Sequence, residues 1–320
     1  MHIDLHMHTQ LSDGEHPPET VLEMAYSNDT ALCALTDHDT LQAYFHLEAL
    51  NLPDLVFLPG VEITTENLLG KESHLLVYFP RFAMGTKRAF KRLSLTKQDP
   101  PTMADIAGLE ELETELSLLR EKRIERAKLC LEVLSSTYGL DLSWDEFCTL
   151  NRINQKINTA DGTIGRPHIA NYLIHKGYCT TVRESFDKYL AKEPIESLKK
   201  EMLPLQYAIT RAIQLGGVPV LAHACLKYDW DATVKVLEEA VQSGMKHLEV
   251  YHPSHTQKNI LHLKQYCDRH GLIASMGSDF HGDSPQYSSR IPPGGYEDAR
   301  HTIDPAEKKK LVRSLFKQSS

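Results

Sequence analysis

Cysteines are few and scattered: six in 320 residues, with no CxxC pair among Cys33, Cys130, Cys148, Cys179, Cys225 and Cys267. That spacing excludes structural zinc knuckles and argues against a disulfide framework, so free thiols are expected. Nowhere does the chain approach the roughly 18 consecutive apolar residues of a membrane-spanning helix. It also lacks internal repeats and low-complexity stretches. His2 and Asp4 stand where a secretory leader would carry a basic segment and an apolar core, so a cytoplasmic protein is expected. There is no excess of basic charge either. With 35 Lys and Arg against 43 Asp and Glu, the formal net charge is −8. That balance disfavours broad attraction to long nucleic acids but leaves room for a local basic patch that holds a small anion or a strand end. Apolar residues at 41% and charged residues at 24% are ordinary for a globular chain. The length suits one α/β barrel of about 250 residues plus an insertion.

Polar residues at the ends of apolar strands are what the sequence does have. In residues 1–11, Ile3, Leu5 and Met7 alternate with Asp4, His6 and His8, so a strand would place both histidines on one face. The turn tripeptide Ser12-Asp13-Gly14 follows, and Pro17-Pro18-Glu19 favours a helix start. A short buried strand over 31–35 runs into Thr36-Asp37-His38-Asp39-Thr40. An apolar run over 55–58 is broken by Pro59-Gly60 and resumes as Val61-Glu62-Ile63-Thr64, where an unpaired carboxylate would be costly. His74 opens the strand of residues 73–79.

From residue 81 the pattern changes. A basic stretch over 87–97, a breaker at Asp99-Pro100-Pro101 and helical apolar spacing over 109–134 predict an inserted helical subdomain. It continues through 144–190 with Gly165-Arg166-Pro167-His168 before an apolar helix. The acidic residues 110–115 read as a solvated helix face. Strand and helix alternation returns near Gly216-Gly217: 218–222 lead into His223, 247–251 end in His252-Pro253, and 272–276 end in Gly277-Ser278-Asp279-Phe280-His281. The expected organisation is a main unit of residues 1–80 and 204–320 and a helical lid of residues 81–203. Such alternation favours a parallel sheet or barrel with its site at the strand C-termini.

His6, His8, Asp13, His38, Glu62, His74, His223, Asp279 and His281 are nitrogen and carboxylate donors without a thiolate. The set suits zinc, manganese or iron, and it exceeds the roughly four to six ligands of one ion, so two or three ions are implied. Glu62 is suited to bridging. Two metals about 4 Å apart can turn a water into hydroxide and hold the attacking and leaving oxygens of an in-line phosphoryl displacement. His16, His46, His255 and His301 read as ordinary surface or hydrogen-bonded core histidines. Asp37 and Asp39 either orient a ligand histidine or cap the turn. Cys225 reads as a packing residue.

The ordered motifs His6-x-His8, Ser12-Asp13-Gly14, Thr36-Asp37-His38-Asp39, Pro59-Gly60-Val61-Glu62, Leu221-Ala222-His223 and Gly277-Ser278-Asp279-Phe280-His281 resemble those of the polymerase and histidinol phosphatase (PHP) superfamily. The resemblance implies a distorted seven-stranded (β/α)7 barrel with a trinuclear centre of manganese, iron or zinc that hydrolyses phosphoesters. The nine donors match its ligand positions, Asp13 standing where other branches use histidine. Arg123-x-x-Arg126, Gly165-Arg166-Pro167-His168-Ile169-Ala170 and Leu248-Glu249-Val250-Tyr251-His252-Pro253 resemble the branch of nucleoside 3′,5′-bisphosphate phosphatases and 5′-to-3′ exoribonucleases. There the insertion covers the metals and supplies cations for substrate phosphates, which arginine forks match bidentately.

The expected activity is therefore removal of the 3′-phosphate from a nucleoside 3′,5′-bisphosphate by a metal-bound hydroxide. Arg123, Arg126, Arg166, His168 and His252 would contact substrate, and Arg126, His168 or His252 would assist the chemistry; the histidines equally suit a supporting role. Alternatives are trimming of short oligoribonucleotides, histidinol phosphatase activity, and an accessory metal-binding module. No obligate protein partner or membrane is indicated. Departures from the branch are Ala224 after His223, where proline is usual, a longer segment over 139–163, and residues 192–203, which lack a glycine-proline pattern.

Overall fold

The computed structural model describes residues 2–47, 53–96, 103–151, 162–284, 291–294 and 302–317, with side chains from 105 onward in the third span. The Asp99-Pro100-Pro101 break and His301 lie outside the described residues. The sheet is built from β1 (His2–Asp4), β2 (Thr30–Leu35), β3 (Val56–Glu66), β4 (Glu72–Tyr78), β5 (Leu203–Pro204), β6 (Val218–Leu221), β7 (His247–Tyr251) and β8 (Ile273–Met276). Its order is β1-β2-β3-β4-β6-β7-β8, with the two-residue β5 paired to β3. Eleven described helices accompany it: α1 (Pro18–Ser27), α2 (Gln42–His46), α3 (Lys87–Arg92), α4 (Met103–Tyr138), α5 (Trp144–Leu150), α6 (Arg166–His175), α7 (Val182–Ser185), α8 (Leu205–Gln214), α9 (Trp230–Gln242), α10 (Gln257–His270) and α11 (Pro305–Lys317).

Two expectations are corrected here. The sheet is mixed rather than parallel, because β4 runs antiparallel to both β3 and β6. The cause is local: β3 and β4 are joined by a tight turn in which Asn67 N donates to Lys71 O and Gly70 adopts φ +66°, leaving no room for a crossover helix. The strands also do not close into a seven-stranded barrel; β1 and β8 are the two ends of an open path. Beyond those ends the chain does meet, with Leu5 N donating to Met276 O at 3.1 Å, Asp279 N to His6 O at 2.8 Å and His8 N to Phe280 O at 2.8 Å. The edge strands are three and four residues long, so this contact falls on the loops that carry the polar residues rather than on a strand pair.

Nor does Pro59-Gly60 interrupt a strand: β3 runs through it for 11 residues. Pro59 still accepts, its carbonyl taking Phe79 N at 2.9 Å.

The main core lies between the sheet and α8–α11, and it includes Phe82, Phe90, Leu109, Leu112, Leu116 and Leu119. A second core, with Ala127, Leu131, Leu134, Phe147, Ile169, Tyr172 and Leu190, holds the helical insertion. α4 has 36 residues and serves both cores, its first half on the sheet and its second in the insertion. At about 1.5 Å per residue it is some 54 Å long.

The acidic residues 110–115 are not simply a solvated face. Glu113 is buried, pairs with Arg120 at 2.7 Å and accepts Leu41 N at 2.7 Å. Glu111 and Glu115 both pair with Arg211 of α8. The periodicity of α4 hides this because the partners come from distant segments. All six cysteines are free.

Candidate metal centre

Glu62 is the hub of the site, and it sits in the middle of β3 rather than at a strand end. Its Oε2 lies 3.3 Å from His6 Nε2, 3.2 Å from His8 Nε2 and 3.1 Å from His38 Nδ1. Its Oε1 lies 2.9 Å from His74 Nδ1 and 3.0 Å from His223 Nε2. Five histidines from four separate stretches of chain thus face one buried carboxylate. The reversed direction of β4 is what brings His74, near its start, to the rim where the parallel strands end.

Asp279 closes the other side, with Oδ1 3.2 Å from His6 Nε2 and 3.3 Å from His8 Nε2. Asp13 lies between His281 (3.3 Å) and His38 (3.8 Å). All nine donors named from the sequence therefore converge.

The donors fall into four overlapping groups: His8, Asp13, His38 and His281; His6, His252 and Asp279; His6, Glu62 and His223; and His38, Glu62 and His74. Two observations fit divalent cations. His6 Nε2, His8 Nε2, His38 Nδ1, His252 Nε2 and Asp13 Oδ1 are buried and make no hydrogen bond to the described protein, which is costly unless another partner takes them. The electrostatics agree. Burial pushes the carboxyls of Asp13, Glu62 and Asp279 upward, yet the surrounding imidazoles hold all three well below the ordinary range. Burial pulls the imidazoles down, to about 3 at His38 and about 4 at His223. At His8 it is overcome by Asp279 and Glu62, which raise the ring to about 10. Buried carboxylates here demand positive charge, and a metal ion supplies it while leaving the imidazole lone pairs free to bind.

Supporting contacts fix these side chains. Glu249, in β7, lies 2.9 Å from His6 Nδ1 through one oxygen and accepts His223 N at 2.7 Å through the other. Asp37 accepts Thr9 N and Ser12 Oγ, and Ser12 Oγ in turn sits 3.3 Å from His8 Nδ1. Asp37 thus orients His8, a candidate ligand, through Ser12. Asp39 takes Thr64 N and pairs with Arg123.

Asp39, His223 and Asp279 adopt positive φ of 50°, 27° and 53°. Such backbone costs about 1–3 kcal/mol per residue and persists where surrounding bonds over-determine it, as Glu62 O, Glu249 and His6 O do by accepting the three backbone N–H groups. At Gly277 a Cβ would stand 2.2 Å from His6 Cβ, so only glycine admits this approach.

Beside the cluster lies a cavity of about 190 Å³, lined by the donors Asp13, His38 and His74, by Glu72, and by Arg123, Arg126, Arg166 and Lys200. The expected substrate residues divide here. Arg123 is engaged by Asp39, Thr64 and the Ile164 carbonyl. Arg126 donates Nε to Leu198 O, and Arg166 lies over the Phe186 ring. Burial, then the nearby Arg166, lowers the pKa of Arg126, so two like charges line the cavity side by side. His168 does not line the cavity: Nε2 lies 2.8 Å from Ser12 O, and Nδ1 accepts Gly165 N at 3.0 Å. His252 sits against Asp279 at 3.2 Å and Ser254 at 2.7 Å, inside the donor cluster.

Sequence reading passed over Glu249, Glu72 and Lys200. Leu248-Glu249-Val250 repeats the pattern of Val61-Glu62-Ile63, a carboxylate between apolar strand residues, and that signal was available. Lys200 sits in a charged run with no pattern to mark it. Of the histidines set aside as ordinary, His16 lies near the surface by Asp283, and His255 is bonded to the Val250 carbonyl.

No family model matches the chain. It is 29% identical over 308 residues to the 3′,5′-nucleoside bisphosphate phosphatase of Chromobacterium violaceum, covering 94% of this chain and 92% of that one. It is 29% identical over 296 residues to the 5′-3′ exoribonuclease Rnm of Salmonella typhimurium, covering 88% and 86%. Among solved structures, an amidohydrolase from Chromobacterium violaceum with bound sulfate superposes with a TM-score of 0.72 at 26% identity, over 99% of this chain and 97% of that one. A structure from Bifidobacterium adolescentis described as a metal-dependent phosphoesterase gives 0.71 at 22% identity, over 98% and 96%, and shows the shared fold. Among the described residues no helix is long and apolar enough to cross a membrane.

Proposed function

We propose that this chain, a phosphoesterase of the PHP type, removes the 3′-phosphate of nucleoside 3′,5′-bisphosphates to leave 5′-mononucleotides. The observation that carries the reading is the convergence of nine donors beside a cavity that three of them, Asp13, His38 and His74, line together with Arg126, Arg166 and Lys200. Metal ions bound there supply Lewis acidity and lower the pKa of a bound water. We read three divalent ions, of manganese, iron or zinc, which His6, His8, Asp13, His38, Glu62, His74, His223, Asp279 and His281 would hold.

The chain's own residues do the rest. Arg126 and Arg166 bind phosphate oxygens, which relieves their mutual repulsion. Arg123 acts through Asp39, holding the loop that carries His38. His168 ties the insertion to Ser12 and so sets the height of the cavity roof. Within residues 81–203, the part built on the second core, from Ala127 onward, is read as the lid, and the unit beneath it joins residues 1–80 and 204–320 with Phe82, Phe90 and the first half of α4.

The test is phosphate release from a panel of nucleoside bisphosphates, mononucleotides and aryl phosphates, with metal analysis of the same protein and Asp279→Ala as control. Bisphosphates are expected to react fastest and stringent chelation to abolish turnover. Full activity of metal-free protein would sink the reading. A second reading, trimming of short 5′-phosphorylated oligoribonucleotides, draws on the likeness to Rnm and uses the same residues. Turnover of a bisphosphate against a short RNA separates the two.

A further inference from the structure

Loss of the phosphoryl group leaves an alkoxide, and an alkoxide needs a proton. The donors expected from the sequence are poorly placed to give one. His168 uses both ring nitrogens on backbone groups, and His252 is turned into the metal-ligand cluster. Arg126 faces the cavity, but a guanidinium does not give up a proton in this pH range.

Lys200 lies on the segment that returns from the insertion to the sheet, with its side chain 17% exposed, and lines the cavity together with His38 and His74. Its Nζ is 2.7 Å from Glu72 Oε2. Glu72 Oε1 receives Lys227 Nζ at 2.9 Å and lies 2.8 Å from His74 Nε2. Glu72 therefore keeps two partners when Lys200 is neutral, and transfer of the lysine proton strands no buried carboxylate.

We propose that Lys200 is the general acid that protonates the leaving oxygen, an inference that rests on the phosphomonoesterase reading above. In the step, water adds its oxygen to phosphorus and releases a proton to solvent. The bond from phosphorus to the ester oxygen breaks, that oxygen takes the Lys200 proton, and the amine regains one from solvent. Charges facing Lys200 are Glu72 from β4, Arg123 from α4, Asp39 from the loop after β2 and, across Glu72, Lys227 from the loop after β6. Burial, with Arg123 and against Glu72, brings the ammonium down to about 8. The cavity's thiol, Cys130, is pushed up to about 11 by burial.

The experiment compares kcat/KM for an alkyl phosphate, whose leaving group needs a proton, with 4-nitrophenyl phosphate, whose leaving group does not. Lys200→Met and Lys200→Arg are measured beside the parent protein, each with its metal content. Arginine keeps the charge and the Glu72 pairing but cannot give up the proton. Both variants are expected to raise the aryl-to-alkyl ratio by about 100-fold or more at unchanged metal content.

An equal fall on both substrates, an unmoved ratio, or recovery of alkyl turnover by Lys200→Arg would overturn the assignment. If bisphosphates prove inert while simple alkyl phosphates react, the nucleotide reading fails and the ratio still decides the role of Lys200. If bisphosphates react and the ratio stays put, the acid assignment alone falls.

Discussion

Glu249 never faces the cavity, yet it sets two candidate ligands at once, one through the His6 ring and one through the His223 backbone. Replacing it by glutamine keeps the volume but leaves an amide that cannot accept through both arms. Glu249→Gln is expected to weaken metal binding by about 10- to 100-fold, read by titrating metal into chelated protein. Unchanged affinity would show that His6 and His223 hold their places unaided. Gly277→Ala makes a harsher case, because its methyl would stand 2.2 Å from His6 Cβ; soluble protein with full metal content would refute the crowding argument. At this scale the sequence was most legible where chemistry violated its surroundings. His6 and His8, alternating with Ile3, Leu5 and Met7, stood out from a core pattern, and Glu62 between Val61 and Ile63 announced itself the same way. Lys200, whose role is set by partners far along the chain, carried no such mark, whereas Asp4 between Ile3 and Leu5 carried it unread. Asp4 is wholly buried and accepts Ser278 N and Gly294 N.

Elements show the same division. The strands and their polar tips followed from alternation and turn chemistry. The direction of β4 did not, because periodicity within a strand is blind to which way the strand runs. α4 was legible as a helix but not as a structural tie. Arg120, 2% exposed, bonds Glu113 and the Asp39 carbonyl and so joins the helix to the loop bearing His38. Arg120→Met leaves Glu113 buried beside Leu41 N without its cation. It is expected to cost about 3 kcal/mol or more in denaturant unfolding, and a loss under 1 kcal/mol would mean that the helix is held by its apolar face alone.

Across the whole molecule, stability and acidity are linked by a group remote from the cavity. His247 is fully buried, with Nε2 2.8 Å from Ser314 Oγ on α11, and burial lowers its pKa to about 4. The unfolded chain binds a proton there below about 6.5 while the folded one does not, so its contribution is complete above that pH and is lost as pH falls towards 4. Between pH 7.5 and 5 this amounts to about 2 kcal/mol. His247→Gln keeps a hydrogen-bonding group near Ser314 and removes the titration. With metal held constant, its stability should fall less than the parent's over that interval, and parallel pH curves would count against the assignment. A different consequence attaches to α4. One unbroken helix enters both cores, so exchanging substrate lids among relatives cannot succeed with a splice at residue 81 or at the start of the helix, where the donor would bring foreign residues into the sheet's own core. The workable junction lies within α4 itself, past Arg120 and before Ala127, with heptad-like phase preserved across the cut. Chimaeras joined there would inherit the recipient's metal-loop anchor and the donor's selectivity.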